Sequence, residues 1–192
     1  MRPTCQGLLC TFTIAFSAAC FAMPAGASTE LNLTYTADWF RNHRGGIEQT
    51  SAYMQNVDLT IQSGMETGWS SRPAAATLYL LYNDSTTFSE AIVGDIQVAS
   101  NIDALEALRV YEAWYEQPIG ESWSVKAGLY DLNSEFDVID AASMFLNSSH
   151  GIGVDFSQSG LAGPSIFPVT SLGARLEWDP AGHTSLRYAI LD

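Results

Sequence analysis

Positive charge is scarce in this chain of 192 residues: 8 Lys and Arg stand against 21 Asp and Glu, a formal net charge of -13. Binding to nucleic acid requires clustered Lys and Arg to neutralise phosphates, so this balance excludes nucleic acid as a partner. Charge of either sign is sparse. Asp, Glu, Lys and Arg make up 15% of the chain, where soluble proteins usually carry about 25%. Hydrophobic residues reach 47% and aromatics 11%, too apolar for an acidic disordered chain. What remains is a folded chain with a polar, uncharged and aromatic surface. That profile suits a β-rich protein able to meet lipid.

Cysteine is missing after residue 20. Cys5, Cys10 and Cys20 all lie in an N-terminal segment with the marks of a secretory signal peptide. Arg2 supplies a basic start, residues 7–22 are apolar, and Ala25-Gly26-Ala27 is a small-residue cleavage site. Pro24 and the shortness of the run argue against a membrane helix. The sequence therefore divides into a signal peptide, 1–27, and a mature part, 28–192, beginning at Ser28. The mature part goes to an oxidising compartment without disulfides. A lipoprotein with Cys20 acylated is disfavoured by Ser17, where an aliphatic residue belongs.

Long hydrophobic runs are also lacking. No second run of about 18 apolar residues could span a bilayer as a helix. There is alternation instead. Leu31, Leu33, Tyr35, Ala37 and Trp39 alternate with Asn32, Thr34, Thr36 and Asp38. Tyr53, Gln55, Val57, Leu59 and Ile61 share one parity; Met54, Asn56, Asp58, Thr60 and Gln62 fill the other. Further sets are Ala76 to Tyr82, Trp123 to Leu129, Leu172 to Trp178, and Leu186 to Ile190. With the strand around residues 109–117, seven strands are predicted, each with one apolar and one polar face. Turn-forming Gly, Pro, Asn, Asp and Ser separate them. Short connections alternate with long ones; residues 132–170 carry no period-2 signal, and residues 136–149 are expected either to fold inward or to pack on the rim. Trp39, Trp123, Trp178 and Tyr82 lie at or near strand ends, where interfacial aromatics belong. This pattern fits a transmembrane β-barrel, and it also fits a soluble β-sandwich.

Several motifs then occur in order. Gln97-Val98-Ala99-Ser100-Asn101-Ile102-Asp103 precedes Arg109-Val110-Tyr111-Glu112-Ala113-Trp114-Tyr115-Glu116-Gln117. Gly128-Leu129-Tyr130-Asp131-Leu132-Asn133-Ser134-Glu135-Phe136 follows, then Phe145-Leu146-Asn147-Ser148-Ser149, then Pro164-Ser165-Ile166-Phe167-Pro168 leading into Leu172-Gly173-Ala174-Arg175-Leu176. Their order and spacing resemble the carbohydrate-selective porin family of the OprB type, over most of the mature part and more weakly before Gly94. The resemblance implies an all-β, antiparallel transmembrane β-barrel in the bacterial outer membrane that passes sugars by diffusion, with no enzymatic activity and no cofactor. It implies sugars, the lipid bilayer and the outer-membrane assembly machinery as partners, and leaves a homo-oligomer open. Barrels of the family have about sixteen strands, so the chain reads as the N-terminal part of one, truncated to about half a barrel. A secreted, soluble carbohydrate-binding β-sandwich is the alternative.

Parity then sorts the strand around residues 109–117. Tyr111, Ala113 and Tyr115 are expected to face lipid, and Arg109 shares their parity at the strand start. Val110, Glu112, Trp114 and Glu116 are expected in the lumen, with Lys126, Arg175 and Glu177 from neighbouring strands. Leu172, Ala174, Leu176 and Trp178 are expected outside. Glu112, Trp114, Glu116, Lys126, Arg175 and Glu177 are the candidate pore-lining groups: donors and acceptors for a sugar's hydroxyls, and a ring for its apolar face. Glu112 and Glu116 also invite a glycosidase reading, but on a strand their Cα atoms lie ~13 Å apart, long for a hydrolytic pair. Asp131, Asn133, Glu135 and Asp137 alternate like calcium ligands, yet Phe136 stands where the EF-hand loop needs Gly. His43, His150 and His183 have no zinc spacing.

Overall fold

The structure is a computed structural model that describes residues 10–22 and 27–192, apart from 86, 96–97, 148–150, 162 and 181–183. Among the described residues, strands follow one another in chain order through a single antiparallel sheet. They are β1 (Cys10–Ala22), β2 (Ala27–Arg41), β3 (Ser51–Met65), β4 (Ala74–Asp84), β5 (Ala107–Ile119), β6 (Trp123–Tyr130), β7 (Ser171–Trp178) and β8 (Leu186–Leu191). The sheet is open, with β1 and β8 as its edges.

β2 to β8 are the strands that the alternation predicts. β1 is an addition. It lies within the segment read as a leader and pairs along β2, with Cys10 opposite Trp39 and Ala18 opposite Leu31. An edge of unpaired backbone groups is a template, and the neighbouring apolar run fills it. Residues 1–9 and 23–26, including Ala25 and Gly26 of the cleavage motif, lie outside the described residues.

The registers carry the alternation across the whole sheet. One row reads Leu31, Ile61, Leu78, Ala113, Leu129 and Leu172 from β2 to β7. All point to one face, because side chains alternate strictly along each strand. On that face Leu33, Leu78, Val110, Leu172, Leu176 and Ile190 are exposed. A β-sandwich would cover them with a second sheet; all the described strands lie in one, so the sandwich alternative does not hold.

Short turns close one end of the sheet and long connections the other. The turns at 66–73 and 120–122 are tied together: Gly120 N–H donates to the Trp69 carbonyl at 3.0 Å, and Ser70 Oγ to the Gly120 carbonyl at 2.6 Å. The connections at 85–106 and 131–170 fold back over the polar face at the opposite end. There Phe88, Ile92 and Ile102 pack on Phe40, Ala52 and Met54, forming the apolar core.

Aromatic residues mark both ends of the apolar face, as predicted. Trp123 and Trp178 pack with ring centroids 6.2 Å apart at the turn end. Trp39 opposite Tyr53, and Tyr82 opposite Leu108, mark the loop end. Gln55, the polar member of its apolar set, sits at that end too. It accepts from the Tyr35 hydroxyl at 3.0 Å and donates to Asp84 at 2.8 Å, so it is satisfied. From Leu108 to Ile119 the strand runs roughly 36 Å at ~3.3 Å per residue, which a ~45° tilt reduces to about 25 Å, the height of a barrel's lipid band.

This placement distinguishes two substitutions on the apolar face. Leu78 lies midway between the aromatic ends, so Leu78→Arg should cost about 2–4 kcal/mol in lipid. Leu176 lies one row from the Trp123–Trp178 pair, where an arginine can reach the interface, so Leu176→Arg should cost roughly 0–1 kcal/mol. Unfolding in phospholipid vesicles measures both; equal costs would refute the assigned band.

Candidate functional site

A β-bulge decides which side chains β5 turns inward. Tyr79 pairs with Glu112 but Leu80 pairs with Val110, so Tyr111 is extra and has no partner on β4. The inserted residue shifts the parity of everything before it. Three expectations are therefore corrected. Tyr111, expected to face lipid, is 5% exposed on the polar face. Its hydroxyl donates to Asp131 Oδ2 at 2.9 Å and its ring stands edge-on to Tyr79 at 4.9 Å. Val110, expected in the lumen, is 46% exposed on the apolar face. Arg109 turns to the polar side and donates to the Pro168 carbonyl at 2.9 Å.

The six candidate residues all follow the bulge or lie on other strands, and all share the polar face. Register places Glu116, Lys126 and Arg175 side by side across β5, β6 and β7. Arg175 is the hub, with a side chain only 3% exposed. It donates to Glu116 at 3.0 Å, to Ser124 Oγ at 2.6 Å and to Glu135 at 2.9 and 3.0 Å, and it lies 3.3 Å from Glu177. Glu177 in turn accepts from Arg187 at 2.7 Å. Lys126 pairs with Glu135 and stands 4.1 Å over the Trp114 ring. The Trp114 indole N–H donates to Glu112 at 2.9 Å, and Glu112 accepts the Asp131 backbone N–H at 3.1 Å. The candidates therefore form an ion network and a Trp114–Glu112 pair, joined through the Lys126 ammonium.

Gly128 allows this close layering. It pairs with Trp114 at φ +137°, and a Cβ there would lie 2.2 Å from the Ala113 carbonyl and 2.6 Å from the Trp114 Cα. Only glycine fits that approach.

Glu135, which the sequence brings in only through the calcium-like alternation, joins the charged network. It belongs to the 131–170 connection, where no strand parity exists. A short 3-10 turn, Leu132–Ser134, started by Asn133 N–H donating to Asp131 Oδ1 at 2.9 Å, carries it back over the sheet. Burial alone would raise the pKa of Glu135, but hydrogen bonds from Arg175 and Lys126 outweigh it and hold the carboxyl below its usual range. Burial pushes Asp131 upward, opposed by the Asn133 N–H and the Tyr111 hydroxyl. Among the described residues, the first part of the connection turns onto the charged patch. Further on, Asn101 binds the carbonyls of Leu146 and Phe145 at 2.7 and 2.8 Å, tying that part to the 85–106 connection.

The polar face has a second feature that strand reasoning did not reach, a cavity of about 870 Å3 between the two long connections. Asn56, Tyr79, Ser100, Asp131, Asn133 and Phe167 are among its walls, and none of the six candidates is. On its floor the Tyr79 hydroxyl and Asn56 both donate to Asp58, at 2.6 and 2.7 Å.

The metal reading fails on geometry. Glu135 turns to the cations, Asp131 to Tyr111 and Asn133, and Asp137 to the Gly153 N–H. Among the described residues no group of three or more His, Cys, Asp or Glu could hold a metal ion. His43 is exposed; His150 and His183 lie outside the described residues. Glu112 and Glu116 serve different partners, Trp114 and Arg175.

Removing Arg175 would leave Glu116, Glu135 and Glu177 without their common partner. Arg175→Met should destabilise the protein by about 3–5 kcal/mol. Arg187, at the half-exposed end of the same network, should cost roughly 0–1 kcal/mol when replaced by Met. Tryptophan fluorescence during urea unfolding in detergent reads both; a mild effect at Arg175 would refute the hub.

No curated protein and no solved structure matches the chain significantly. The family model described as carbohydrate-selective porin, OprB family, matches residues 48–192. That span holds β3 to β8, both long connections and every residue of the charged network. By this match the chain belongs to the carbohydrate-selective porin, OprB family, a family of channels rather than enzymes.

Proposed function

We propose that the protein is an outer-membrane porin through which sugars, mono- or small oligosaccharides, diffuse passively. The observation that carries this reading is the division of one sheet. Its apolar face is exposed between two aromatic ends, as lipid requires, and its polar face carries a charge-balanced network, as the polar interior of a barrel requires. Export through a signal peptide cleaved after Ala27, followed by the outer-membrane assembly machinery, would bring the strands to that bilayer. β2 begins at Ala27, so cleavage there would leave its remaining residues intact.

The lining suits a solute that must pass without being held. A sugar exchanges its water hydrogen bonds for those of the partly exposed Glu112, Glu116 and Glu177, and meets Trp114 on the way; Lys126 and Arg175, expected in the lining, are buried and act through the carboxylates they pair with. An ionised carboxylate has about four acceptor positions, so one or two internal bonds leave room for hydroxyls. Contacts to groups already paired are weak, and conduction needs contacts weak enough to leave. Pore width acts on every solute, whereas these contacts act on sugars.

Two expected outcomes follow from this reading. The mature protein should begin at Ser28 on N-terminal sequencing; retained Met1, or an acylated Cys20 in first place, would overturn the leader assignment. In liposome swelling through a closed barrel that contains these strands, monosaccharides should enter faster than neutral non-sugars of equal size. Glu112→Ala and Trp114→Ala should erode that preference while leaving general permeability intact or raised. Equal entry of sugars and non-sugars through the unaltered protein would refute carbohydrate selectivity.

A further inference from the structure

The charged patch contains an asymmetry that the strands alone do not create. Its cations, Lys126, Arg175 and Arg187, all come from strands. Of its three ion-paired carboxylates, Glu116 and Glu177 also come from strands, but Glu135 comes from the 131–170 connection. Glu135 is the carboxylate that Lys126 pairs with, and it receives two hydrogen bonds from the Arg175 guanidinium. Without it, the strands would present one ammonium and two guanidinium groups, Lys126, Arg175 and Arg187, against two ion-paired carboxylates, Glu116 and Glu177.

We propose that Glu135 is a specificity-determining residue that excludes anionic solutes, acidic and phosphorylated sugars among them, by occupying the anion site formed by Lys126 and Arg175. The inference rests on the pore reading above.

Geometry supports a fixed plug rather than a mobile counter-ion. The Glu135 N–H donates to the Leu132 carbonyl at 3.2 Å, the Phe136 N–H to the same carbonyl at 2.9 Å, and Ser134 Oγ to the Asp131 carbonyl at 2.7 Å. Arg187 reaches the Glu135 carbonyl at 3.3 Å. The side chain is only 12% exposed, as befits a group held between two cations. The site it fills has the features of a carboxylate or phosphate receptor: a planar guanidinium fork that donates to both carboxylate oxygens, and an ammonium that shares Oε1 with it. An anionic solute would have to displace a carboxylate already bound at the ends of both. A neutral sugar does not compete for that position and meets the hydrogen-bonding groups around it.

The test is made on a closed barrel that contains these strands, reconstituted in planar bilayers and liposomes. With a KCl gradient across the bilayer, Glu135→Gln should move the reversal potential toward chloride. Entry of glucose 6-phosphate relative to glucose should rise several-fold. Lys126→Gln should shift both in the opposite direction, and Glu135→Gln combined with Lys126→Gln should return them toward the starting values. A merely structural role for Glu135 would not produce opposite shifts or their cancellation. Glu48→Gln, an exposed acid in the 42–50 connection, should leave both readouts alone. If Glu135→Gln fails to fold, Lys126→Gln alone carries the test through its predicted sign. A conducting protein in which these variants leave ion preference and the sugar ratio unmoved would overturn the proposal while sparing the pore reading. Absence of conductance in the unaltered protein would overturn both.

Discussion

Backbone hydrogen bonding between chain neighbours is the constraint on which the rest of the structure depends. A strand surrounded by lipid can satisfy its N–H and C=O groups only on adjacent strands. Here each strand of the part proposed to be mature pairs antiparallel with the next, from β2 with β3 to β7 with β8. That unbroken ladder fixes the registers, and the registers sort the side chains into two faces. The same arithmetic that gathers Leu31, Ile61, Leu78 and Leu129 on one side gathers Glu116, Lys126 and Arg175 on the other. Neither face could be built without the other, because adjacent residues of a strand supply both.

Two devices work against this regularity, and both serve the polar face. The bulge at Tyr111 spends one residue without a β4 partner and brings two neighbouring side chains, Tyr111 and Glu112, to the same side. Tyr111 then holds Asp131, and Glu112 holds the Asp131 backbone N–H, so together they grip the point where the long connection leaves β6. The connection is the second device. Its first turn returns Glu135 to the sheet, where it binds cations from β6 and β7. Bulge, turn and ion pairs form one chain of contacts from β4 to the lumen groups.

Charge balance explains how buried cations are tolerated. Lys126 and Arg175 are withdrawn from water, a state that costs several kcal/mol per ion without partners. Both have charged acceptors, Arg175 has Ser124 as well, and Lys126 has an aromatic ring. The result is a surface dense in donors and acceptors yet locally near neutral.

The sequence by itself determined the strands and their faces wherever period 2 ran without interruption. Leu172, Leu176, Arg175 and Glu177 lie on the sides their parity predicts, because a side chain on an unbroken strand has no other choice. The six lining candidates come together for the same reason. At Tyr111 the parity rule failed, though a trace was legible: Leu108 and Val110 are apolar at even positions, Ala113 and Tyr115 at odd ones. Only pairing with β4 shows where the change occurs. Glu135, Asp131 and the walls of the cavity were decided by tertiary structure alone. They sit in connections without periodicity, and what places them is a set of contacts to side chains far away in sequence, Arg175 being forty residues beyond Glu135. Local pattern encodes which way a strand residue points; it carries no information about where a long loop returns to the sheet.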